Sequence, residues 1–236
     1  LLNETEPLGT TWLKLTKFSA DYYQHSWGEV AIAGLPSFFR SKPRPRYLQS
    51  LERLRKPFAK KKVTEQQTEL SLNDDQRQAV EAVKNSHGFA PFVLHGVTGS
   101  GKTEVYLRMM ENVFQEKPQA QILFLVPEIN LTPQLEARVR AHFPDKVIVS
   151  MHSGLANGER ARAWLACHEK RAQILIGTRM AIFASLPNLA LVVVDEEHDL
   201  SYKSGEGIRY SARDLAVKWA QLKSIAVVLG SATPSL

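Results

Sequence analysis

The residues Gly96-Val97-Thr98-Gly99-Ser100-Gly101-Lys102-Thr103 fill the pattern G-x-x-x-x-G-K-[ST] at every position. Glycines at that spacing let a backbone curl so that successive N–H groups face a chain of phosphates. A helix starting at the end of the loop adds partial positive charge. Lys102 can reach the β- and γ-phosphates, and the Thr103 hydroxyl can ligate Mg²⁺. Glu104 follows directly and is counted with the nucleotide-binding residues. A chance glycine-rich turn would need neither a strand before it nor a helix after it, and this sequence offers both.

A second chemical cluster is Asp195-Glu196-Glu197-His198, which closes the apolar run Leu191–Val194. A carboxylate at the C-terminal end of a parallel strand beside a phosphate loop can hold the Mg²⁺ of a nucleoside triphosphate, here Asp195. Glu196 would orient and polarise the attacking water. His198 is expected to bridge the nucleotide site to Ser231 or Thr233. Taken alone, the cluster reads better as a solvated acidic strand end; the phosphate loop upstream turns it into half of a site. Upstream, Gln76 stands just before the first strand, where a side-chain amide can hydrogen-bond both edges of adenine. ATP and Mg²⁺ are therefore the expected cofactors.

The elements that must position these groups are legible as alternation. The runs Phe92–His95, Ile122–Val126, Val147–Ser150, Ile174–Ile176, Leu191–Val194 and Ala226–Leu229 are apolar almost throughout, as strands covered on both faces are. Helical patterns lie between them, such as Val105, Met109 and Val113, and Thr132-Pro133 has the chemistry of a helix start. The expected class is α/β, a phosphate-loop lobe with a parallel sheet flanked by helices. Three segments are expected. Residues 1–47 are a small helical segment, 48–69 a basic linker with room for one helix, and 70–236 the ATP-binding lobe. Trp12, Trp27, Trp164 and Trp219 are expected in the core.

Charge is placed unevenly. Net charge is +6, all of it within residues 1–65, and residues 40–62 hold ten Lys/Arg against the single acid Glu52. Such a stretch attracts polyanions in a salt-sensitive way, although a solvated basic linker would have the same composition. The one cysteine, Cys167, excludes a disulfide framework or a cysteine metal cluster inside this chain. No apolar run approaches the roughly 20 residues that span a bilayer. A cytoplasmic, nucleoid-associated protein with no membrane partner is expected.

The order of the phosphate loop, Val126-Pro127-Glu128, Gly177-Thr178-Arg179, Asp195-Glu196-Glu197-His198 and Gly230-Ser231-Ala232-Thr233 resembles the motif order of superfamily 2 helicases of the DEAH type. Longer phrases resemble the bacterial replication-restart helicases within that superfamily. They include Gly101-Lys102-Thr103-Glu104-Val105-Tyr106, Glu128-Ile129-Asn130-Leu131-Thr132-Pro133, Ser201-Tyr202-Lys203 and Arg209-Tyr210. The resemblance covers nearly the whole chain and implies a RecA-like lobe over 70–236 and a winged-helix-like segment over 1–47. It implies an ATP-hydrolysing 3′→5′ DNA helicase of replication restart, acting on forked or single-stranded DNA, with single-strand-binding protein and primosome proteins as partners. It further implies that Glu128, Thr132, Thr178 and Arg179 face DNA and that Ser231 and Thr233 couple ATP state to DNA contact. Residues 199–213 would form an aromatic-rich DNA-sensing loop, with Tyr202, Lys203, Arg209, Tyr210 and Arg213 as its contacts. Ile208 departs from the family, which often has Trp there, and an aliphatic side chain cannot stack as an indole does.

The resemblance also implies parts outside this sequence: a second lobe with an arginine finger, and a zinc-binding cysteine cluster. The chain is accordingly expected to be a fragment, hydrolysing ATP very slowly by itself. Two other readings remain open at this point: another superfamily 2 translocase, acting on RNA or duplex DNA, and a DNA-binding scaffold that uses ATP as a conformational clamp.

Overall fold

The computed structural model describes residues 5–40, 47–58, 71–97 and 99–233. Six strands form one fully parallel sheet: β1 (Ala90–His95), β2 (Gln121–Leu125), β3 (Ile148–Met151), β4 (Ile174–Gly177), β5 (Leu189–Val194) and β6 (Ala226–Ser231). Their spatial order is β1-β6-β5-β2-β4-β3. All six apolar runs are strands, and the α/β class with a parallel sheet is what the chain adopts.

Helices cover both faces, which is why the strands carry so little polar alternation. Side chains alternate between two cores. Ile122, Phe124 and Val193 pack with α5 (Asp74–Lys84), α6 (Lys102–Glu116) and α7 (Pro133–His142). Leu123, Leu125 and Val192 pack with α8 (Asn157–His168) and α9 (Ala212–Lys223). Local chemistry sets the helix starts. Asn73 and Gln76 form a reciprocal capping box on α5. Thr132 caps α7 by accepting the Leu135 N–H at 3.2 Å, with Pro133 at the first helical position.

The described part of residues 1–47 consists of helices, α1 (Thr10–Tyr22), α2 (Trp27–Ala33) and α3 (Ser37–Arg40), laid against the α8/α9 face. Trp12 is 3% exposed and its indole N–H donates to the Phe183 carbonyl at 2.8 Å. The expected boundary at 47/48 falls at the first residues of α4 (Tyr47–Arg55), which is docked on α8. Arg55 pairs with Glu169 at 2.7 Å, and Arg162 donates to the carbonyls of Lys56 and Pro57. Of the basic stretch, Arg40 is turned onto the carbonyls of Leu35 and Ala33. Lys42, Arg44, Arg46, Lys60, Lys61 and Lys62 lie outside the described residues.

Trp27 departs from expectation. It is 45% exposed, because α2 buries only Val30, and its N–H reaches the Thr16 hydroxyl at 3.1 Å. The two tryptophans of this segment should therefore behave differently in urea denaturation. Trp12→Ala is expected to cost about 3–5 kcal/mol, as deletion of a buried aromatic does, and Trp27→Ala less than about 1 kcal/mol, as at a surface position. Equal losses would show that the α1/α2 packing is misread.

Candidate nucleotide site and the neighbouring loop

The phosphate loop leaves the end of β1 and enters α6 at Lys102. Gly101 caps that helix with φ +84, in the left-handed region where a Cβ is strained, and a Cβ there would also crowd the Gln76 amide nitrogen at 2.9 Å. The loop's cradle is filled by its own lysine. Lys102 Nζ donates to the Gly96 carbonyl at 2.6 Å and lies 3.2 Å from Glu196 Oε1. Gln76 ties the loop to α5 by donating to the Ser100 carbonyl at 2.9 Å, while its amide oxygen accepts the Asn73 N–H. Val97 is exposed, and Thr103 is half-buried at the start of α6. Thr98 lies outside the described residues. Glu104 is not turned toward the loop: its buried carboxylate pairs with Arg108 at 3.2 Å and Arg138 at 3.1 Å.

The acidic turn follows β5 directly. Asp195 Oδ1 accepts the Tyr106 hydroxyl at 2.9 Å, and the Asp195 carbonyl accepts the Tyr202 hydroxyl at 2.6 Å. Burial pushes the Asp195 carboxyl above its usual range, against the lowering effect of the Tyr106 hydrogen bond; the Glu196 charge adds to the rise and Lys102 opposes it. A cation bound beside it would favour the ionised form. Glu196 has φ +45, a left-handed conformation unusual for a residue with a long side chain. Glu197 is buried and paired with Arg213 at 3.0 Å.

From Glu196 a polar chain leads away from the phosphates. His198 Nδ1 is 3.8 Å from Glu196 Oε2 and hydrogen-bonded to Ser231 Oγ at 2.8 Å. Ser231 Oγ also accepts the Thr233 N–H at 3.1 Å. Lys102, Asp195, Glu196, His198, Ser231 and Thr233 are thus brought together at the C-terminal ends of β1, β6 and β5.

The residues assigned to DNA divide into two groups. Arg179 lies 3.8 Å from Glu128, which accepts the Ser153 hydroxyl at 3.2 Å, and Arg179 also donates to the Ser201 carbonyl at 3.3 Å. Lys203 and Arg209 are exposed. The others turn inward. Thr132 spends its hydroxyl on the α7 cap, and Thr178 is buried. Tyr202 is 1% exposed, so its ring has no open face for a base. Tyr210 packs edge-on against Phe183 with centroids 4.9 Å apart and donates to the Arg179 carbonyl at 3.3 Å; burial pushes its phenol up to about 12. Arg213 is engaged by Glu197 and Asp214. Base stacking by Tyr202 does not fit this arrangement, because its ring is enclosed at the base of the loop; Arg213 is held by two carboxylates at the start of α9.

A cleft of about 430 Å³ lies away from the nucleotide site, between α2/α3, the start of α8 and Ile208 and Tyr210 of the loop. Sequence reasoning singled out neither this cleft nor the role of Tyr106. For Tyr106 the signal was its place one helical turn after Lys102.

The profile of the DEAD/DEAH box helicases matches residues 73–235. The chain belongs to the DEAD/DEAH box helicase family. ATP binding is implied by that membership. Within the family this helicase lobe is similar to replication restart protein PriA. It is 47% identical to the Bacillus subtilis protein over 170 residues, which is 71% of this chain and 21% of that protein. It is 38% identical to the Treponema pallidum protein over 226 residues, or 96% of this chain and 32% of that one. The chain thus spans a fifth to a third of the length of these relatives. Among solved structures, the DEAD-box helicase Mss116 bound to ssRNA and UDP-BeF superposes with a TM-score of 0.53 at 18% identity, covering 69% of this chain and 36% of that one, a likeness of fold. Among the described residues no helix is long and apolar enough to cross a membrane.

The left-handed backbone of Glu196 generates a stability test. Glu196→Gly and Glu196→Ala both remove the pair with Lys102, but only glycine relieves the backbone. Thermal denaturation is expected to rank Gly above Ala by about 1 kcal/mol, the reverse of the usual order. Alanine at or above glycine would mean that this φ is not that of the folded protein.

Proposed function

We propose that the chain is the ATP-binding lobe of an ATP-dependent 3′→5′ DNA helicase of replication restart, and that residues 1–47, 48–69 and 70–236 are its helical appendage, basic linker and motor lobe. The observation that carries the ATPase reading is the placement of the phosphate-loop Lys102 3.2 Å from Glu196 of the acidic turn, with His198 3.8 Å further on and hydrogen-bonded to Ser231. The similarity to replication restart protein PriA supports the biological setting, with forked or single-stranded DNA as substrate and single-strand-binding protein and primosome proteins as partners.

In this reading Lys102 leaves the Gly96 carbonyl for the β/γ-phosphates, which releases Glu196 from its pair. Glu196 is then free to orient and polarise the attacking water. Thr103 and Asp195 would hold Mg²⁺, which supplies charge neutralisation for the phosphates. The donor set fits that ion: the two residues offer hard oxygen ligands, a hydroxyl and a carboxylate. Loss or gain of Glu196's partner is felt by His198, and through it by Ser231 and Thr233. Gln76, assigned to adenine, braces the loop with both ends of its amide and would have to release the Ser100 carbonyl or the Asn73 N–H to pair with the base. Lys203, Arg209, Arg179 and Glu128 form the DNA-side edge.

The test is ATP turnover by a protein that joins this chain to a second motor lobe, measured with no nucleic acid, forked DNA, blunt duplex and single-stranded RNA. Stimulation is expected to be greatest with forked DNA, and Lys102→Ala is expected to lower turnover by about 10²-fold or more. This chain alone should turn over far more slowly than the two-lobed protein. Equal stimulation by RNA or blunt duplex would keep the motor and remove the restart assignment. Fork binding indifferent to nucleotide, with no turnover, would leave a scaffold.

A further inference from the structure

Asp195 is held by two buried phenols that come from different elements. Tyr106 rises from α6, the helix that begins at Lys102, and is fully buried. Its ring meets Phe124 edge-on, with centroids 5.6 Å apart, and its hydroxyl donates to Asp195 Oδ1 at 2.9 Å. Tyr202 donates to the main-chain carbonyl of the same aspartate. The neighbouring strand makes room for the first phenol. A Cβ on Gly230 would stand 1.6 Å from the Tyr106 oxygen and 2.8 Å from the ring carbon that carries it. The space above β6 is therefore given to a hydroxyl, at the cost of any side chain at that strand position.

A phenylalanine would fill the same core without a polar atom to satisfy. A buried hydroxyl is tolerated only because it is hydrogen-bonded, and here the acceptor is the carboxylate assigned to the metal. Lys102 and Tyr106 lie one turn apart on one helix face, so whatever seats the phosphate loop also seats the phenol.

We propose that Tyr106 is a positioning residue for the metal-holding carboxylate: its phenol fixes Oδ1 of Asp195 against the helix of the phosphate loop and leaves Oδ2 to the cation of the bound nucleotide. The proposal rests on the nucleotide-site reading above. It assigns Tyr106 no contact with substrate. It makes the geometry of Asp195 depend on the helix that carries Lys102 and Thr103, so that the two sides of the metal site cannot drift apart.

The test is binding of a fluorescent ATP analogue to the 236-residue chain, titrated with Mg²⁺ and repeated in EDTA. Tyr106→Phe is expected to raise the Mg²⁺ concentration for half-maximal binding by about five- to tenfold, the size of one hydrogen bond. Binding in EDTA should stay within about twofold, a split that a packing defect would not produce. Tyr106→Met keeps an apolar side chain of adaptable shape in the same space without the donor, and must shift the Mg²⁺ requirement in the same direction. If Tyr106→Phe does not fold, this second variant decides the question. An unchanged Mg²⁺ requirement in a folded variant, or equal weakening with and without Mg²⁺, overturns the positioning role and leaves the nucleotide site standing. Failure of the unsubstituted chain to bind any nucleotide removes the site reading and this proposal with it.

Discussion

The arrangement of the site depends on where β6 ends. It is the last strand in the chain, yet it lies between β1 and β5, the strands that deliver the phosphate loop and the acidic turn. Its final residues hydrogen-bond both. The Gly96 N–H donates to the Ser231 carbonyl at 3.0 Å, and the Glu197 N–H donates to the Gly230 carbonyl at 2.8 Å. The loop and the turn are thus both set by the backbone of one strand. A small movement of β6 along its axis would alter both contacts at once, because parallel-strand hydrogen bonds do not tolerate independent sliding of their neighbours. The Ser231 hydroxyl, buried and bonded to His198, reports the same position through a side chain.

That constraint also accounts for the backbone of Glu196. Asp195 is fixed before it, with the N–H on the Leu125 carbonyl, the carbonyl under Tyr202 and the carboxylate under Tyr106. Glu197 is fixed after it, by Gly230 through the main chain and by Arg213 through the side chain. The chain must change direction between two pinned residues, and Glu196 absorbs the change at φ +45. Left-handed conformations cost of order 1–3 kcal/mol for such residues and persist where the surroundings over-determine them. Here the surroundings are two phenols, an ion pair and a strand end. The result is a carboxylate 3.2 Å from the Lys102 ammonium.

The legible parts of this structure are those whose signals are local. Strands buried on both faces announce themselves by unbroken apolar runs, and α7 announces its start by Thr132-Pro133. The phosphate loop and the acidic turn are recognisable because each is a contiguous spacing placed at a strand end. What escaped are side chains whose direction is set by distant partners. Tyr202 and Tyr210 have amphipathic rings that can face either way, and the carbonyls that draw them inward belong to Asp195 and Arg179. Glu104 sits beside the phosphate loop in sequence, but its partner Arg138 is on another helix. Trp27 has core chemistry on a helix too short to bury it. Gly230 and Tyr106 explain each other only once α6 lies over β6.

The N-terminal helices enter this network through the loop that follows the acidic turn. The loop folds back on itself, with a bridge between Lys203 and Ser211 and the Ser204 N–H on the Tyr210 carbonyl. Its returning arm is met from outside the lobe: the Arg209 N–H donates to His25 Nε2 at 3.3 Å, and the Ser211 N–H donates to the Tyr23 hydroxyl at 3.1 Å. Both acceptors stand at the turn between α1 and α2, and α1 is itself anchored by Trp12 on Phe183, the residue against which Tyr210 packs. The outgoing arm is tied inward instead, by Tyr202 to Asp195. The returning arm is therefore held both by the appended helices and, through Tyr210, by Arg179 and Phe183 of the lobe, while the outgoing arm is tied to the nucleotide site, with exposed Lys203 and Arg209 on the arms themselves. Of these contacts only that of Arg209 with His25 is exposed, while those of Tyr202 and Tyr23 are partly buried, so the His25 contact is the one that water replaces most readily.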